Sequence, residues 1–504
     1  MGPGAGLLDF DNDGDLDVYL VQGGSLAGPR PGAGGRLFRN DLVVAPDGTR
    51  TLRFVDVTEA SGIRSLAYGM GVATGDVDND GWTDLYLTNV GRNQLWRNNG
   101  DGTFRDLSDR SGTAGSGWAV SASFLDYDRD GWLDLYVGYY LRYTVAGDRP
   151  CTSPAGTRDY CAPQVYPAER DRLYRNNRDG TFTDVSSTAI ADPDFGPALG
   201  VVALDADDDG WMDVYVANDS QENQLWMNQR NGTFRNRALR AGVAVTADGR
   251  AEASMGVDAG DADNDGDLDL VMTELNGEGM NLYVNRGDGT FMDRSAAAGL
   301  NRATTPFTGF GTRWLDADND GWLDLVAVNG LVRQMDGRPP AGFPYDQRKV
   351  LLRNLRDGRF EDGSTTAGPA FAQSGVGRGA AFGDLDNDGD TDIVVANDGG
   401  PAQLLVNRAG STRHWIGLRL RGRATPRDML GAQVTVGLAD GSLRRHHVHT
   451  DGSYASASDP RILVGLGDLA SPVSVRVRWP DGGTDAWAAQ AVDRWLVLEE
   501  GATR

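Results

Sequence analysis

Apolar positions along this chain come in short alternating runs separated by polar, glycine-rich turns. Seven such runs open on an aspartate: Asp-Val-Tyr-Leu at 17–20, Asp-Leu-Tyr-Leu at 84–87, Asp-Leu-Tyr-Val at 134–137, Asp-Val-Tyr-Val at 213–216, Asp-Leu-Val-Met at 269–272, Asp-Leu-Val-Ala at 324–327 and Asp-Ile-Val-Val at 392–395. β-Branched and aromatic residues dominate them, which predicts strands. In most repeats a second apolar run follows and ends in Asn, at Asn98, Asn176, Asn228, Asn285 and Asn354; a glycine turn then leads to Thr-Phe or Arg-Phe, ending at Phe104, Phe182, Phe234, Phe291 and Phe360. Asp-Gly or Asn-Gly between strands predicts a hairpin of type I′. A shorter apolar stretch precedes each aspartate loop, with a residue five places before the loop that is Gly4, Gly71, Gly200, Gly256, Gly311 or Gly379, and Ser121 in the third repeat. Each repeat therefore reads as four antiparallel strands, A-loop-B-C-turn-D.

One such sheet cannot bury both faces alone, whereas seven packed radially can. The predicted fold is all-β: a seven-bladed β-propeller over residues 1–411, followed by a small β-sandwich-like domain over 412–504. The regularly spaced Phe of the D strand and the Trp or Leu of strand C are assigned to packing between blades. The A–B and C–D connections share one face. The long B–C inserts 21–36, 138–171 and 330–349 belong to the other. The strand at 414–420 is compatible with blade seven or with the C-terminal domain.

Between strands A and B the chain repeats Asp-x-Asp-x-Asp-Gly-x-x-Asp. The carboxylates are Asp9, Asp11, Asp13 and Asp17; Asp76, Asp78, Asp80 and Asp84; Asp126, Asp128, Asp130 and Asp134; Asp205, Asp207, Asp209 and Asp213; Asp261, Asp263, Asp265 and Asp269; Asp316, Asp318, Asp320 and Asp324; and Asp384, Asp386, Asp388 and Asp392. Alternating positions 1, 3 and 5 can aim at one centre, glycine at position 6 permits a sharp turn, and position 9 adds a fourth carboxylate. Oxygen-only ligands in a flexible loop select Ca²⁺, up to seven ions in all. An EF-hand needs Glu at position 12, where this chain has Leu20, Leu87, Val137, Val216, Met272, Ala327 and Val395. Two carboxylates about 4 Å apart repel by about 4 kcal/mol at an effective dielectric of about 20, so seven loops without cations would be costly.

The 504 residues carry 72 Asp plus Glu against 48 Lys plus Arg, a formal charge of −24. That excess excludes nucleic acid as a natural partner, and no apolar run reaches the length of a membrane helix. The two cysteines, Cys151 and Cys161, lie in a Pro/Gly-rich insert and read as a local disulfide, which fits an oxidising compartment. Met1 stands eight residues before the first loop, so the start reads as clipped, and secretion or periplasmic export is expected without a visible leader.

After residue 411 the loops stop and short strands continue at 415–420, 432–437, 444–450, 462–465, 473–479 and 495–499. Gly431-Ala432-Gln433-Val434-Thr435-Val436, Asp451-Gly452-Ser453-Tyr454 with Ser456 and Asp459, Gly465-Leu466-Gly467 and Trp479-Pro480-Asp481-Gly482 resemble the ASPIC/UnbV domain. The preceding repeats resemble FG-GAP or VCBS repeats, and the combination resembles the cartilage acidic protein family. The resemblance implies a secreted calcium-binding propeller with no established catalytic activity, all 28 loop aspartates being ligands.

His446, His447 and His449 offer at most two imidazoles to one side of a strand, so they read as part of an exposed strand beside Arg444 and Arg445. No catalytic residue is assigned. The expected role is a binding or adhesion module for a protein or glycan ligand on the face opposite the calcium loops. The alternative is a calcium-dependent polysaccharide lyase or hydrolase, with Glu222, Glu274, Glu278 and Asp336 as candidates. Asn89, Asn218, Asn329 and Asn397, recurring after strand B, read as caps.

Overall fold

The computed structural model describes residues 2–26, 28, 34–152, 156, 158–193, 195–332, 345–423 and 427–502. Asp336 lies outside them. The described residues are almost entirely strands joined by turns and one-turn helices, in a propeller-like succession of antiparallel meanders. The first sheet runs Ala5–Leu8, Asp17–Leu20, Arg36–Asn40, Phe54–Asp56. The pattern recurs from Tyr68–Gly75 to Phe104–Asp106, from Ser116–Leu125 to Phe182–Asp184, from Ala198–Leu204 to Phe234–Asn236, from Val257–Gly260 to Phe291–Asp293 and from Gly309–Leu315 to Phe360–Asp362. A three-stranded sheet, Gly377–Gly383, Asp392–Asn397 and Gln403–Leu405, follows. The strand His414–Arg421 pairs with Ile462–Gly467 and, in parallel, with Trp495–Glu499. It is therefore part of the C-terminal sheets and not an outer strand of the last meander.

Apolar side chains fill the spaces between successive sheets. Phe10, Tyr19 and Leu37 of the first meet Leu85, Trp96 and Phe104 of the second. Ala5, Leu7 and Val18 meet Ala381, Leu385 and Val394, so the first sheet packs on the last. The D-strand phenylalanines sit in these seams, Phe234 beside Tyr127 and Phe360 beside Trp314.

The C–D turns differ from the type I′ expectation. Positive φ falls on Gly100 and Gly102, with Asp101 between them, and on Arg178 and Gly180, so the left-handed residues are separated instead of adjacent. Asp101 Oδ1 accepts from Thr103 Oγ1 (2.6 Å) and its backbone N–H (3.1 Å), which explains the threonine before the phenylalanine. In the turn, a side-chain acceptor takes the place that paired positive φ angles hold in type I′.

The recurrent glycine of strand A sits where inner strands converge. A Cβ on Gly256 would lie 1.9 Å from the Phe310 carbonyl oxygen of the next sheet, and one on Gly379 would lie 2.5 Å from the Gly4 Cα. Ser121, in the same place, donates through Oγ to Leu199 O and accepts from Ala455 N–H.

That last partner belongs to the C-terminal part, which enters the centre of the ring of sheets. Residues 450–459 thread between the inner strands. Ala457 N–H donates to Ala5 O, Val72 N–H to Ala455 O, Gly452 N–H to Val201 O, Val257 N–H to Ser453 O and Asp459 N–H to Phe382 O. Tyr454 is fully buried among Met70, Val120, Leu199 and Met255, with its ring edge-on to Phe310 at 4.9 Å. Small residues, Ser453, Ala455, Ser456, Ala457 and Ser458, are what a passage lined by inner-strand backbone admits. The two C-terminal sheets, Ile462–Gly467 with His414–Arg421 and Trp495–Glu499, and Leu443–His447 with Gln433–Gly437, Val473–Arg478 and Thr484–Gln490, lie over the aspartate loops. The last of these strands was not foreseen, and 448–450 leave the sheet to form the threading segment.

Truncating Tyr454 to Ala leaves a cavity at the hub and is expected to cost about 3–5 kcal/mol in equilibrium unfolding. A loss below about 1 kcal/mol would show that the segment only rests in the passage.

Candidate metal centres

Each aspartate loop is built the same way. In five loops the first carboxylate accepts backbone N–H groups of loop positions 5 and 6, as Asp76 does from Asp80 (3.0 Å) and Gly81 (2.7 Å) and Asp126 from Asp130 (3.0 Å) and Gly131 (2.9 Å), while Asp9 and Asp261 accept from position 6 through Oδ2. The fifth accepts from position 7, as Asp80 Oδ1 does from Trp82 N–H at 3.0 Å. The residue at position 4 takes the left-handed conformation in every loop, with φ between 53° and 60°.

The fourth carboxylate, at position 9, is buried and ties the loop to strand C. Asp134 Oδ2 accepts from Tyr127 N–H (3.3 Å) and Oδ1 from Asn176 N–H (2.8 Å). The same pair of bonds recurs at Asp17, Asp84, Asp213, Asp269, Asp324 and Asp392. The asparagine that supplies one of them reaches into the preceding sheet. Asn98 Nδ2 donates to Phe10 O, Asn176 to Val77 O, Asn228 to Tyr127 O, Asn285 to Ala206 O, Asn354 to Ala262 O and Asn407 to Ala317 O. Asn40 Nδ2 donates to Leu385 O at 2.9 Å, so the last loop is tied to the first sheet. Position 4 links the loops directly. Asn12 donates to Gly81 O, Asn79 to Gly131 O, Arg129 to Gly210 O, Asn264 to Gly321 O, Asn319 to Gly389 O and Asn387 to Gly14 O. In the fourth loop this position is Asp208, which has no side-chain N–H to offer the next loop. There Arg478 of the C-terminal sheets bonds Asp208 Oδ1 (3.1 Å) and Asp205 Oδ2 (2.6 Å).

The carboxylates converge. Asp9, Asp11 and Asp13; Asp76, Asp78 and Asp84; Asp126, Asp128 and Asp134; Asp205, Asp207 and Asp213; and Asp261, Asp263 and Asp265 each place one oxygen within 4.8 Å of the others, and two further clusters meet the same condition. At position 3, Asp11, Asp78, Asp128, Asp207 and Asp386 each keep a buried Oδ1 with no hydrogen-bond partner. Asp9 Oδ1 and Asp261 Oδ1 share that state. Converging carboxylate oxygens with orphaned buried members fit a hard cation, and these clusters could hold metal ions. Position 5 is shared with arginines: Asp80 pairs with Arg97, Asp130 with Arg178, Asp209 with Arg230 and Asp320 with Arg356. Asp15 and Asp390 add a further carboxylate at position 7, both pushed up to about 6 by burial first.

Burial dominates the electrostatics. It pushes Asp17 up to about 8 and Asp392 to about 9, and Asp76, Asp126, Asp261, Asp324 and Asp384 to about 7. Asp84, Asp134, Asp213 and Asp269, more deeply buried, also lie well above the usual range.

The remaining candidates separate. Cys151 and Cys161 are joined by a disulfide. His447 and His449 are buried, not on an exposed strand as the sequence suggests, because they face the ring of sheets; they stack at 4.0 Å, burial holding both well below the usual imidazole range. His449 Nδ1 lies 3.1 Å from Asp451 Oδ1 and its Nε2 3.1 Å from Arg313, so it positions the threading segment. The side-chain amides of Asn89, Asn218, Asn329 and Asn397 donate to Arg92 O, Glu222 O, Arg348 O and Pro401 O, closing the turns after strand B. Glu274 and Glu278 lie together beside Glu252, whereas Glu222 lines a separate groove. The asparagine ending strand C was visible as a repeated letter, but its partner lies one repeat upstream, and no local spacing announces that.

The FG-GAP-like repeat family matches residues 9–87, 76–137, 156–216, 205–272, 262–327 and 341–417, and the ASPIC and UnbV family matches 422–504. The chain is an FG-GAP-like repeat protein with an ASPIC and UnbV region. It is similar to cartilage acidic protein 1 of Mus musculus, 27% identical over 299 residues covering 57% of this chain and 42% of the relative. The Homo sapiens protein of that name is 25% identical over 382 residues, covering 62% and 55%. The chain thus spans about half the length of these curated relatives. Among solved structures it is similar to a lectin of Agrocybe aegerita that recognises non-reducing terminal N-acetylglucosamine, at TM-score 0.41 and 16% identity, covering 81% of this chain and 96% of the lectin. It is also similar to the rhamnogalacturonan lyase YesW, at TM-score 0.39 and 14% identity, covering 81% and 72%.

Because folding raises these FG-GAP carboxylates above their ordinary value, the metal-free folded chain binds more protons than the unfolded one. Their contribution is then fully present below about pH 4 and lost as pH rises through about 7 to 9. In chelator the melting temperature is expected to fall between pH 6 and pH 9, and millimolar Ca²⁺ is expected to flatten that slope. A metal-free melting temperature that climbs over the same range would contradict the assignment.

Proposed function

We propose that the chain is a seven-bladed propeller over 1–411 capped by a β domain over 412–504, that its loops bind up to seven Ca²⁺ ions through the 28 aspartates, and that it serves as a secreted binding or adhesion module. The observation that carries the calcium reading is the orphaned position-3 oxygen, repeated in five loops beside a buried position-9 carboxylate. When bound, the ion supplies positive charge to groups whose burial otherwise favours protonation; the chain's own residues hold the carboxylates in register. At ten times Kd one ion contributes about 1.4 kcal/mol, and seven independent sites contribute on the order of 10 kcal/mol, comparable to a domain's whole stability.

The C-terminal sheets cover the loop face, which leaves the opposite face for a ligand. There Trp118 meets Tyr140 at 5.1 Å and Tyr143 at 5.4 Å, and Tyr143 meets Tyr166 at 5.6 Å; Tyr140 is buried, and Trp118, Tyr143 and Tyr166 are half-buried. A groove of about 700 Å³ lined by Arg142, Phe195, Gln221, Glu222, Asn223 and Gln224 opens on the same side. Aromatic faces beside amides and a guanidinium suit a glycan or a protein loop. Binding without turnover is favoured over a lyase or hydrolase, because Glu222 is the one acid among the described residues lining the groove, so no carboxylate pair faces it, and Glu274 is 2% exposed. Among the described residues no helix is long and apolar enough to cross a membrane.

Two measurements test the reading. Chelation is expected to lower the melting temperature by more than about 10 °C, and an unchanged value counts against structural calcium. On a glycan array in calcium, Trp118→Ala is expected to lose binding at least tenfold with the fold retained. Turnover of a polysaccharide, abolished by one substitution on this face, would favour the enzyme instead.

A further inference from the structure

Three carboxylates outside the repeat motif lie close enough to feel one another's charge, near the end of the fifth sheet that lies away from the aspartate loops. Asn281 Nδ2 donates to both Glu252 Oε2 (2.9 Å) and Glu274 Oε1 (3.1 Å), so one nitrogen spans two acids. Ser254 Oγ donates to the same Glu274 oxygen at 2.9 Å and accepts from Asn223 Nδ2 at 3.1 Å. Glu278 Oε2 accepts the N–H groups of Ala253 and Leu275, each at 3.2 Å, which fixes its carboxylate between the neighbours of Ser254 and Glu274. Glu252 and Glu278 are partly buried, and Glu274 is 2% exposed.

The independent observation is Glu274 Oε2. Its sister oxygen is held by two donors, while Oε2 is itself buried and has no hydrogen-bond partner. A buried carboxylate with one orphaned oxygen is expensive unless a cation or a proton serves it. Arg250, whose charge reaches Glu252, is paired with Asp248, and no lysine or arginine bonds any of the three acids among the described residues. Burial first, then the charges of Glu252 and Glu278, hold Glu274 well above the usual carboxylate range.

We propose that Glu252, Glu274 and Glu278 hold a further hard divalent cation on the face opposite the aspartate loops. The donor set is oxygen only, which selects Ca²⁺ or Mg²⁺ over zinc or copper. In this assignment Asn281 and Ser254 are positioning residues: they pin Glu274 Oε1 and leave Oε2 for the ion. The alternative resident of the cluster is a proton on Glu274, which keeps the acids together without metal.

The test counts Ca²⁺ per full-length chain by elemental analysis after equilibrium dialysis at about 1 mM free Ca²⁺, the range of extracellular modules. Wild type is compared with Glu274→Gln, Glu278→Gln and the loop variant Asp78→Asn. Glu274→Gln and Glu278→Gln are each expected to lose one ion per chain, and the double variant Glu274→Gln/Asp78→Asn is expected to lose two. If both glutamate variants keep the wild-type count while Asp78→Asn loses one, the proton serves the cluster and the proposal is overturned, with the loop reading intact. If Asp78→Asn keeps the count and the glutamate variants lose one, this site stands and the loop reading fails. Near-UV circular dichroism confirms the fold, and should Glu274→Gln not fold, the partly buried Glu278→Gln decides.

Discussion

The structure depends on a carboxylate buried seven times at the mouth of strand B. At that position the side chain gives one oxygen to the N–H that follows the first loop aspartate and the other to the N–H of the asparagine ending strand C. The asparagine then reaches into the preceding sheet with its amide. One side chain thereby sets the loop, the B–C register and the spacing between sheets. It does so at an electrostatic cost, since burial disfavours the charged form. The cation proposed for the loops offsets that cost where it arises.

The C-terminal part relates to this ring in two ways. Its arginines approach the loops: Arg419 bonds Asp9, Arg478 bonds Asp205, and Arg461 donates to Asp384 O. Its segment 450–459 replaces solvent along the inner strands with backbone hydrogen bonds to most of the sheets. The hub glycines and Ser121 are consequences of that crowding, because a larger residue there would meet the carbonyl of the next strand or of the threading segment. The loop face is thus an internal interface, and the opposite face is the one the proposed function assigns to a ligand.

The repeat was legible because its grammar is local. Nine residues specify an Asp loop, alternation specifies the strand after it, and a Thr-Phe pair marks the outer strand; Asp84 to Leu87 and Phe104 are placed as their letters imply. What was not legible is non-local. Asn98 was read as the end of a strand, and its bond to Phe10 O spans 88 positions. Asn12 stands between two loop aspartates with no spacing that marks a partner, yet it donates to Gly81 O of the next loop. The Ser/Ala run at 453–458 lacks any strand or helix period, because its shape is set by the passage it fills. The type I′ expectation failed for a local reason: Asp101 caps Thr103, so the turn is satisfied by a side chain.

The most direct test of the account is an anomalous difference map from crystals grown in calcium, recorded where Ca²⁺ scatters anomalously. The account predicts a peak inside each aspartate loop, within about 2.3–2.6 Å of the position-3 and position-9 carboxylates. Loops that show no peak while retaining the same carboxylate geometry would contradict it.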